Sequence, residues 1–519
     1  MRSVGPPALI AIVVSIVLMT SSTALTQSDG DLFAHIALGR DILRVGAPAS
    51  VTPAWGSAVV LAALHRRGGL SLIAVCVAWL AACTHAWLML FIARRGMPLH
   101  AALPAAMLSV VFAASHWLAR PHAVTIAASA LLIALLEWPD RRAWLAIPPL
   151  FLLWANLHGG WSYGLILVAC YVVARPTWPS LMLLVASALA TLTTPYGTQL
   201  HRTVLQTLRD PTIARVINEY QPPSVHNPQD LLFLVTLAIS TVVLLRAMLR
   251  QASRPPLAAL LVILVSAAAA LRAGRNISLF AVTGWPLLVV YLVPHSSITP
   301  SPVTSWSSPA RWPFARDTVN AIALLVFAAL VAGGARAAGL AGVPGFTTPV
   351  SPARFPVGAL QALQRDHQSA PLLTTWAWSG YVPYAWPGRR ALFNPLNFTP
   401  ADVHALGTLL RAQPGWRRAL DSLDIRLAVL PPDSPLADAL RAEPAWPVWY
   451  RDPTAIVFQR QSALPNAPLA SAVATGRAGC SAGTRPPPTA PSRQIRFRHE
   501  PQHVSGVHES EAQTSDRCR

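Results

Sequence analysis

Apolar stretches of roughly 15 to 24 residues, each closed by a short polar turn, recur along the chain, and a string of water-soluble domains has no use for them. They fall at residues 8–26, 70–93, 99–117, 121–137, 143–157, 160–175, 179–194, 231–247, 256–272, 277–294 and 318–340. With a window of about 20 residues they give about eleven spans, and so predict a mainly α, polytopic helical membrane protein. Only 12% of the 519 residues are charged, so the position of each acid carries information.

Forty basic residues, none of them lysine, stand against 21 acids, for a net charge of +19. A surplus of that size is compatible with nucleic-acid binding. Its placement favours membrane topology instead, because the arginines gather in short loops and in the C-terminal tail. With Arg2 cytoplasmic, alternation puts Arg94-Arg95, Arg141-Arg142, Arg175, the run Arg246 to Arg254, and Arg311 with Arg316 on the cytoplasmic side as well. The opposite, exoplasmic face then receives residues 27–56, Arg120-Pro121-His122, the turn Asn156 to Gly160, the loop 195–230 and Arg275-Asn276. The implied arrangement is a multi-pass membrane protein with a cytoplasmic N-terminus. The first apolar run reads as an uncleaved helix rather than a signal peptide. Of the five cysteines, Cys76, Cys83 and Cys170 lie in apolar runs and Cys480 and Cys518 in the tail, so no disulfide framework is implied.

Residues 27–56 are too polar to span. Asp29 or Ser28 can cap a helix over 30–45 with Gly46 as its stop, and Leu32, Phe33, Ile36 and Leu43 give it an apolar side suited to the membrane interface. Asp31 and His35 are four apart and share a face of that helix. In the loop 195–230, Leu200, Val204, Leu205 and Leu208 recur at helical spacing, which predicts a second interfacial helix. The chain therefore divides into a transmembrane part, 1–345; a small exoplasmic α/β domain, 346–460, in which helical pieces alternate with strands near 372–375, 390–393, 427–430, 448–450 and 455–459; and a basic Pro/Ser/Arg-rich tail, 461–519, with too few apolar side chains for a core.

The order of the polar motifs carries a resemblance. Asp29, Asp31, His35 and Gly39 are followed by Arg120-Pro121-His122, Leu153-Trp154-Ala155-Asn156-Leu157-His158-Gly159-Gly160, Thr194-Pro195-Tyr196-Gly197, Glu219-Tyr220-Gln221-Pro222-Pro223 and Arg275-Asn276. Farther on come Trp378-Ser379-Gly380-Tyr381 and Leu430-Pro431. The chain, over about 8–460, resembles a set of bacterial polytopic membrane proteins similar in layout to the GT-C glycosyltransferase superfamily. It departs from them after Gly39: members carry a longer stretch with a His-Glu pair at a helix start, and here 47–58 is contracted around Pro53-Ala54-Trp55. The resemblance implies a polyprenyl-phosphate-linked sugar donor, an envelope glycan, lipid or protein acceptor reached from the exoplasmic side, and a catalytic carboxylate in the first exoplasmic loop.

Such a transfer needs a base for the acceptor proton and a cation for the leaving phosphate. Asp31 is the first choice of base and Asp29 the second, Asp29 having equal claim as a helix cap. His35 either orients Asp31, binds substrate or is a hydrogen-bonded structural histidine. Arg120 and Arg275 offer planar bidentate donors to phosphate, or snorkel at helix ends. His122, Asn156, His158, Tyr196 and Glu219 complete the candidate substrate-binding set. Gly159-Gly160 suits close helix approach better than phosphate cradling. The acids and histidines are of metal-binding type, but no spacing is diagnostic of a metal and no cofactor motif appears. Two competing classes are a transporter or flippase of lipid-linked intermediates and a non-catalytic envelope assembly protein.

Overall fold

The helices begin and end where local chemistry dictates. The computed structural model describes residues 26–27, 30–48, 51–95, 97, 99–209, 218–250, 255–292, 349–368 and 370–461. The expected runs 8–26 and 318–340, the segment 295–317, Asp29 and the tail beyond Gln461 lie outside them.

Helix α1, Asp31–Val45, stops at Gly46, whose φ of 85° is the left-handed cap that glycine adopts without Cβ strain. Helix α2, Trp55–Arg94, breaks its regularity only at Gly68-Gly69, where φ is −152° and +63°. It is longer than the expected run 70–93 because a second helical segment, 55–67, joins that run across a kink at Gly68-Gly69. Then follow α3 (Leu99–Ala113), α4 (His122–Leu136), α5 (Ile147–Leu157), α6 (Trp161–Ala174) and α7 (Trp178–Ala190), with Pro148-Pro149 and Pro179 in first turns, where a missing N–H costs nothing. Helix α8, Thr198–Arg209, occupies the expected amphipathic stretch. Helix α9, Pro228–Leu249, starts at Asn227, whose side chain accepts from the N–H groups of Gln229 and Asp230. Helix α10, Leu257–Arg272, precedes a broken pair, α11 (Ile277–Val282) and α12 (Gly284–Leu292). The run 277–294 is thus not one straight helix: the segments Gly274–Val282 and Gly284–Leu292 meet at 54°.

Among the described residues, Trp55–Arg94 and Pro228–Leu249 are long and apolar enough to cross a membrane, and the bent pair makes up to three; five further apolar helices have 10–17 residues. Contacts sort their ends into two groups. At one end Trp55 Nε1 donates to Asn156 Oδ1 (3.2 Å), Asn156 Nδ2 to Thr193 O (3.0 Å), Gln229 Nε2 to Val111 O (2.7 Å), and Gly274 N to Gln221 O (2.8 Å). At the other, Arg95 pairs with Glu137, Tyr171 donates to Glu137 Oε1 (2.5 Å), and Trp87 stacks on Trp138.

After residue 349 the chain forms a four-stranded sheet in the order β1-β2-β4-β3, from Leu372–Thr374, Leu427–Leu430, Val448–Arg451 and Ile456–Gln459, numbered along the chain. Strands β1 and β2 are parallel; β4 is antiparallel to both β2 and β3. The expected strand at 390–393 is reduced to a single bridge, Leu372 to Ala391. Helices α13 (Val357–Arg365), α14 (Trp376–Ser379), α15 (Tyr381–Ala385), α16 (Pro400–Leu410), α17 (Trp416–Ser422) and α18 (Pro435–Arg441) surround the sheet.

The layer between sheet and bundle positions the site. One apolar core joins Leu32, Phe33 and Ile36 of α1 and Leu61, Leu70 and Ile73 of α2 to Phe355, Leu360, Tyr381, Leu427 and Val429. The apolar side of α1 therefore packs on protein, with only Leu43 and Val45 left exposed among its large apolar residues, rather than lying in lipid. Gly30 and Gly380 meet backbone to backbone there: a Cβ on Gly380 would overlap the Gly30 carbonyl oxygen. Arg40 donates to Tyr384 O (3.1 Å) and lies over the Tyr384 ring, whose hydroxyl is 2.9 Å from His65 Nε2.

Candidate functional site

The polar residues gather where the first turn of α1 meets the α3–α4 turn, the α5–α6 turn, the end of the 195–230 loop and the turn before α11. Asp31 opens α1, an N-terminal position that favours a negative charge through the helix dipole. Facing it, Arg120 places Nη1 3.7 Å from Asp31 Oδ2 and 2.6 Å from Glu219 Oε1, so one guanidinium bridges two carboxylates. Burial pushes the Glu219 carboxyl up, and the charges of Arg120 and Arg275 outweigh it, leaving it below the ordinary carboxylate value.

Arg275 is set by two contacts. Its guanidinium stacks over Tyr220, 4.6 Å from the ring centre, and its Nη2 donates to His122 Nδ1 at 3.3 Å. A guanidinium has no lone pair to offer, so His122 Nδ1 is unprotonated and the ring proton sits on Nε2, 3.4 Å from Ser278 Oγ. The His122 ring meets that of His158 edge to face at 5.7 Å and that of His116 at 6.0 Å.

His35, one turn after Asp31, is 7% exposed, and its Nδ1 is buried without a hydrogen-bond partner among the described residues. Burial, reinforced by the charge of Arg120, pushes its pKa down to about 3, so the ring is neutral at physiological pH. His158 is likewise pushed down to about 3, by burial first and then by Arg275 and His35.

Asp31, His35, Arg120, His122, His158, Glu219 and Arg275 are thus brought together. Asn156 and Tyr196 are not. Asn156 accepts from Trp55 and donates to Leu152 O (2.8 Å) and Thr193 O, tying three loops, while the Tyr196 hydroxyl bonds the backbone of Thr52. Asp29 lies outside the described residues. Thr125, Trp154, Tyr220 and Ser278 belong to the site and had no assigned role. Trp154 and Tyr220 stand within the motifs quoted above, whereas Thr125 and Ser278 carry only a spacing signal, each lying three residues after a candidate. Gly160 packs its backbone on Thr125, where a Cβ would overlap the hydroxyl. No group of three or more His, Cys, Asp or Glu side chains arranged to hold a metal occurs among the described residues.

The fold and site define a mainly helical, membrane-type bundle with an acid–arginine cluster at one end, roofed by a small sheet. No family model and no curated protein matches the chain. Among solved structures it is similar to ArnT from Cupriavidus metallidurans bound to undecaprenyl phosphate, at 15% identity and a TM-score of 0.48, covering 87% of this chain and 97% of that one. The apo state of the same protein gives a TM-score of 0.47 at 15% identity, with the same coverage. The archaeal oligosaccharyltransferase AglB from Archaeoglobus fulgidus, in complex with an inhibitory peptide and a dolichol-phosphate, gives 0.45 at 10% identity over 81% of this chain and 69% of that one.

Proposed function

We propose that this chain is a membrane glycosyltransferase that moves a sugar from a polyprenyl-phosphate-linked donor to an envelope acceptor at the exoplasmic face. The observation that carries the reading is the juxtaposition of a half-exposed carboxylate, Asp31, with two arginines and two neutral histidines at one end of an apolar bundle. In this reading an acceptor hydroxyl gives its proton to the Asp31 carboxylate as its oxygen bonds the anomeric carbon. The bond from that carbon to the phosphate oxygen breaks, and the polyprenyl phosphate leaves as an anion held by Arg275. Arg120 orients Asp31 through their ion pair, and Glu219 shares that arginine.

The accompanying topology has eleven spans in a bacterial inner membrane, a cytoplasmic N-terminus, an exoplasmic sheet domain over 346–460 and a separate tail over 461–519. A broken helix beside Arg275 is also what transporters place at their sites, and it favours the flippase reading as the alternative. Profiling envelope glycans and lipid-linked sugars in a deletion strain separates them. Complementation by the wild type and not by an inserted Asp31→Asn variant supports transfer; equal complementation by both overturns it.

A further inference from the structure

Behind His158 lies a hydrogen-bond chain that the proposed transfer does not use. Trp154, on α5, donates from Nε1 to Thr125 Oγ1 on α4 at 2.9 Å. Indole N–H is a donor only, so the Thr125 oxygen accepts there and its own proton is left to be given elsewhere. It lies 2.6 Å from His158 Nδ1. The backbone N–H of Gly160 points at the same atom from 3.2 Å and can only donate. Two donors converging on Nδ1 require it to be unprotonated, which places the proton of a neutral ring on Nε2. Trp154 and Thr125 are each 1% exposed, so water cannot replace either partner. The charged and titratable groups around the ring, Arg275, His35 and His122, supply no carboxylate that would favour an imidazolium.

We propose that Trp154 and Thr125 are positioning residues that fix His158 as a neutral, Nε2-protonated imidazole, a standing hydrogen-bond donor to a substrate oxygen and not an acid or base. The tautomer follows from this geometry alone, whereas its use on a substrate oxygen rests on the transfer reading above. The burial that keeps the ring uncharged through the physiological range agrees with it. Acid–base work thereby stays with Asp31. A neutral donor adds no charge to a region that already holds two guanidiniums, so it can polarise a phosphate or sugar oxygen without repelling Arg275. Gly160 completes the device, because any Cβ there would push Thr125 off Nδ1.

The test is solid-state nitrogen NMR of the full chain, labelled on histidine nitrogen and held in lipid nanodiscs, with the His158 signals identified by their loss in His158→Gln. The expected spectrum has one protonated and one unprotonated nitrogen at His158, with Nδ1 unprotonated, unchanged between pH 8 and 5. Thr125→Val keeps the shape and removes the hydroxyl, so it should mix the tautomers, whereas Thr125→Ser should restore the wild-type pattern. A wild-type Nδ1–H, or a ring that titrates between pH 8 and 5, overturns the tautomer assignment. Where transfer is measurable, Thr125→Val should slow it about tenfold, the equivalent of one lost hydrogen bond, with rescue by Thr125→Ser. A locked tautomer with equal turnover in all three proteins overturns the positioning role and leaves the transfer reading intact. Absence of transfer in the wild type counts against that reading, and the tautomer is still decided by NMR.

Discussion

Replacing Arg120 by methionine strips the counter-charge from two carboxylates at once. At an effective dielectric of about 20, a unit charge 3.7 Å from Asp31 gains roughly 4 kcal/mol of gross attraction. The arginine side chain is 18% exposed and both carboxylates are 34% exposed, so screening and the cost of desolvating the ions reduce the net contribution to about 1–3 kcal/mol. The pH dependence has a definite sign. Glu219 has its folded-state pKa lowered, so its share of the stability is present above the ordinary carboxylate value and is lost as pH falls through the folded value. Thermal unfolding in nanodiscs should therefore show Arg120→Met melting well below the wild type at pH 7, with the gap closing as the pH falls below about 4. A gap of the same size at both pH values, or none at pH 7, would refute the bridging role of Arg120.

Four further outcomes follow from the packing. Gly160→Ala forces a Cβ into the Thr125 hydroxyl and should cost about 1–3 kcal/mol in the same assay; an unchanged melting temperature would contradict the close approach. Tyr384→Phe keeps the ring under Arg40 but removes the partner of His65 Nε2, so it should cost about 0.5–1.5 kcal/mol, with Tyr384→Ala costing more; equal losses would show that the hydroxyl matters and the ring does not. Glu137→Gln, which breaks the pair with Arg95 while keeping an acceptor for Tyr171, should lower stability and weaken its salt dependence; an unaltered salt dependence would count against the ion pair. In a cysteine-free background, a membrane-impermeant maleimide applied to intact cells should label Val225→Cys and leave Leu249→Cys untouched, since these exposed residues flank opposite ends of α9; the reverse labelling would invert the topology.

Much of the helix order was legible because its signals are local. Gly46 stops α1, Asn227-Pro228 starts α9, and the spacing of Leu200, Val204 and Leu208 marks α8. The polar cluster was legible through topology, which sends alternate turns to one side and so puts Asp31, Arg120, His158, Glu219 and Arg275 on a common end. What covers a face was not. The periodicity of α1 announces an apolar side, but lipid and the Phe355–Tyr381 core are equally apolar, and only the fold shows that protein covers it. Nor does a polar residue in a turn reveal its partner. Asn156 accepts from the Trp55 indole and donates to the Thr193 carbonyl, and Thr125 meets His158 across 33 residues of sequence, contacts made by tertiary packing with no local trace. The helix over 55–67 was missed because His65, Arg66 and Arg67 lower its hydropathy, although nothing in them opposes a helix.

In the proposed sugar transfer Asp31 takes the acceptor proton. Purified protein in nanodiscs, supplied with the lipid-linked sugars extracted from the deletion strain and with its envelope fraction, gives the decisive assay when donor consumption is followed by mass spectrometry. The wild type should consume one lipid-linked sugar and release polyprenyl phosphate, while Asp31→Asn, equally folded by its melting curve, should do so at least about a hundredfold more slowly, the usual share of a general base. Turnover by Asp31→Asn at the wild-type rate would contradict that role.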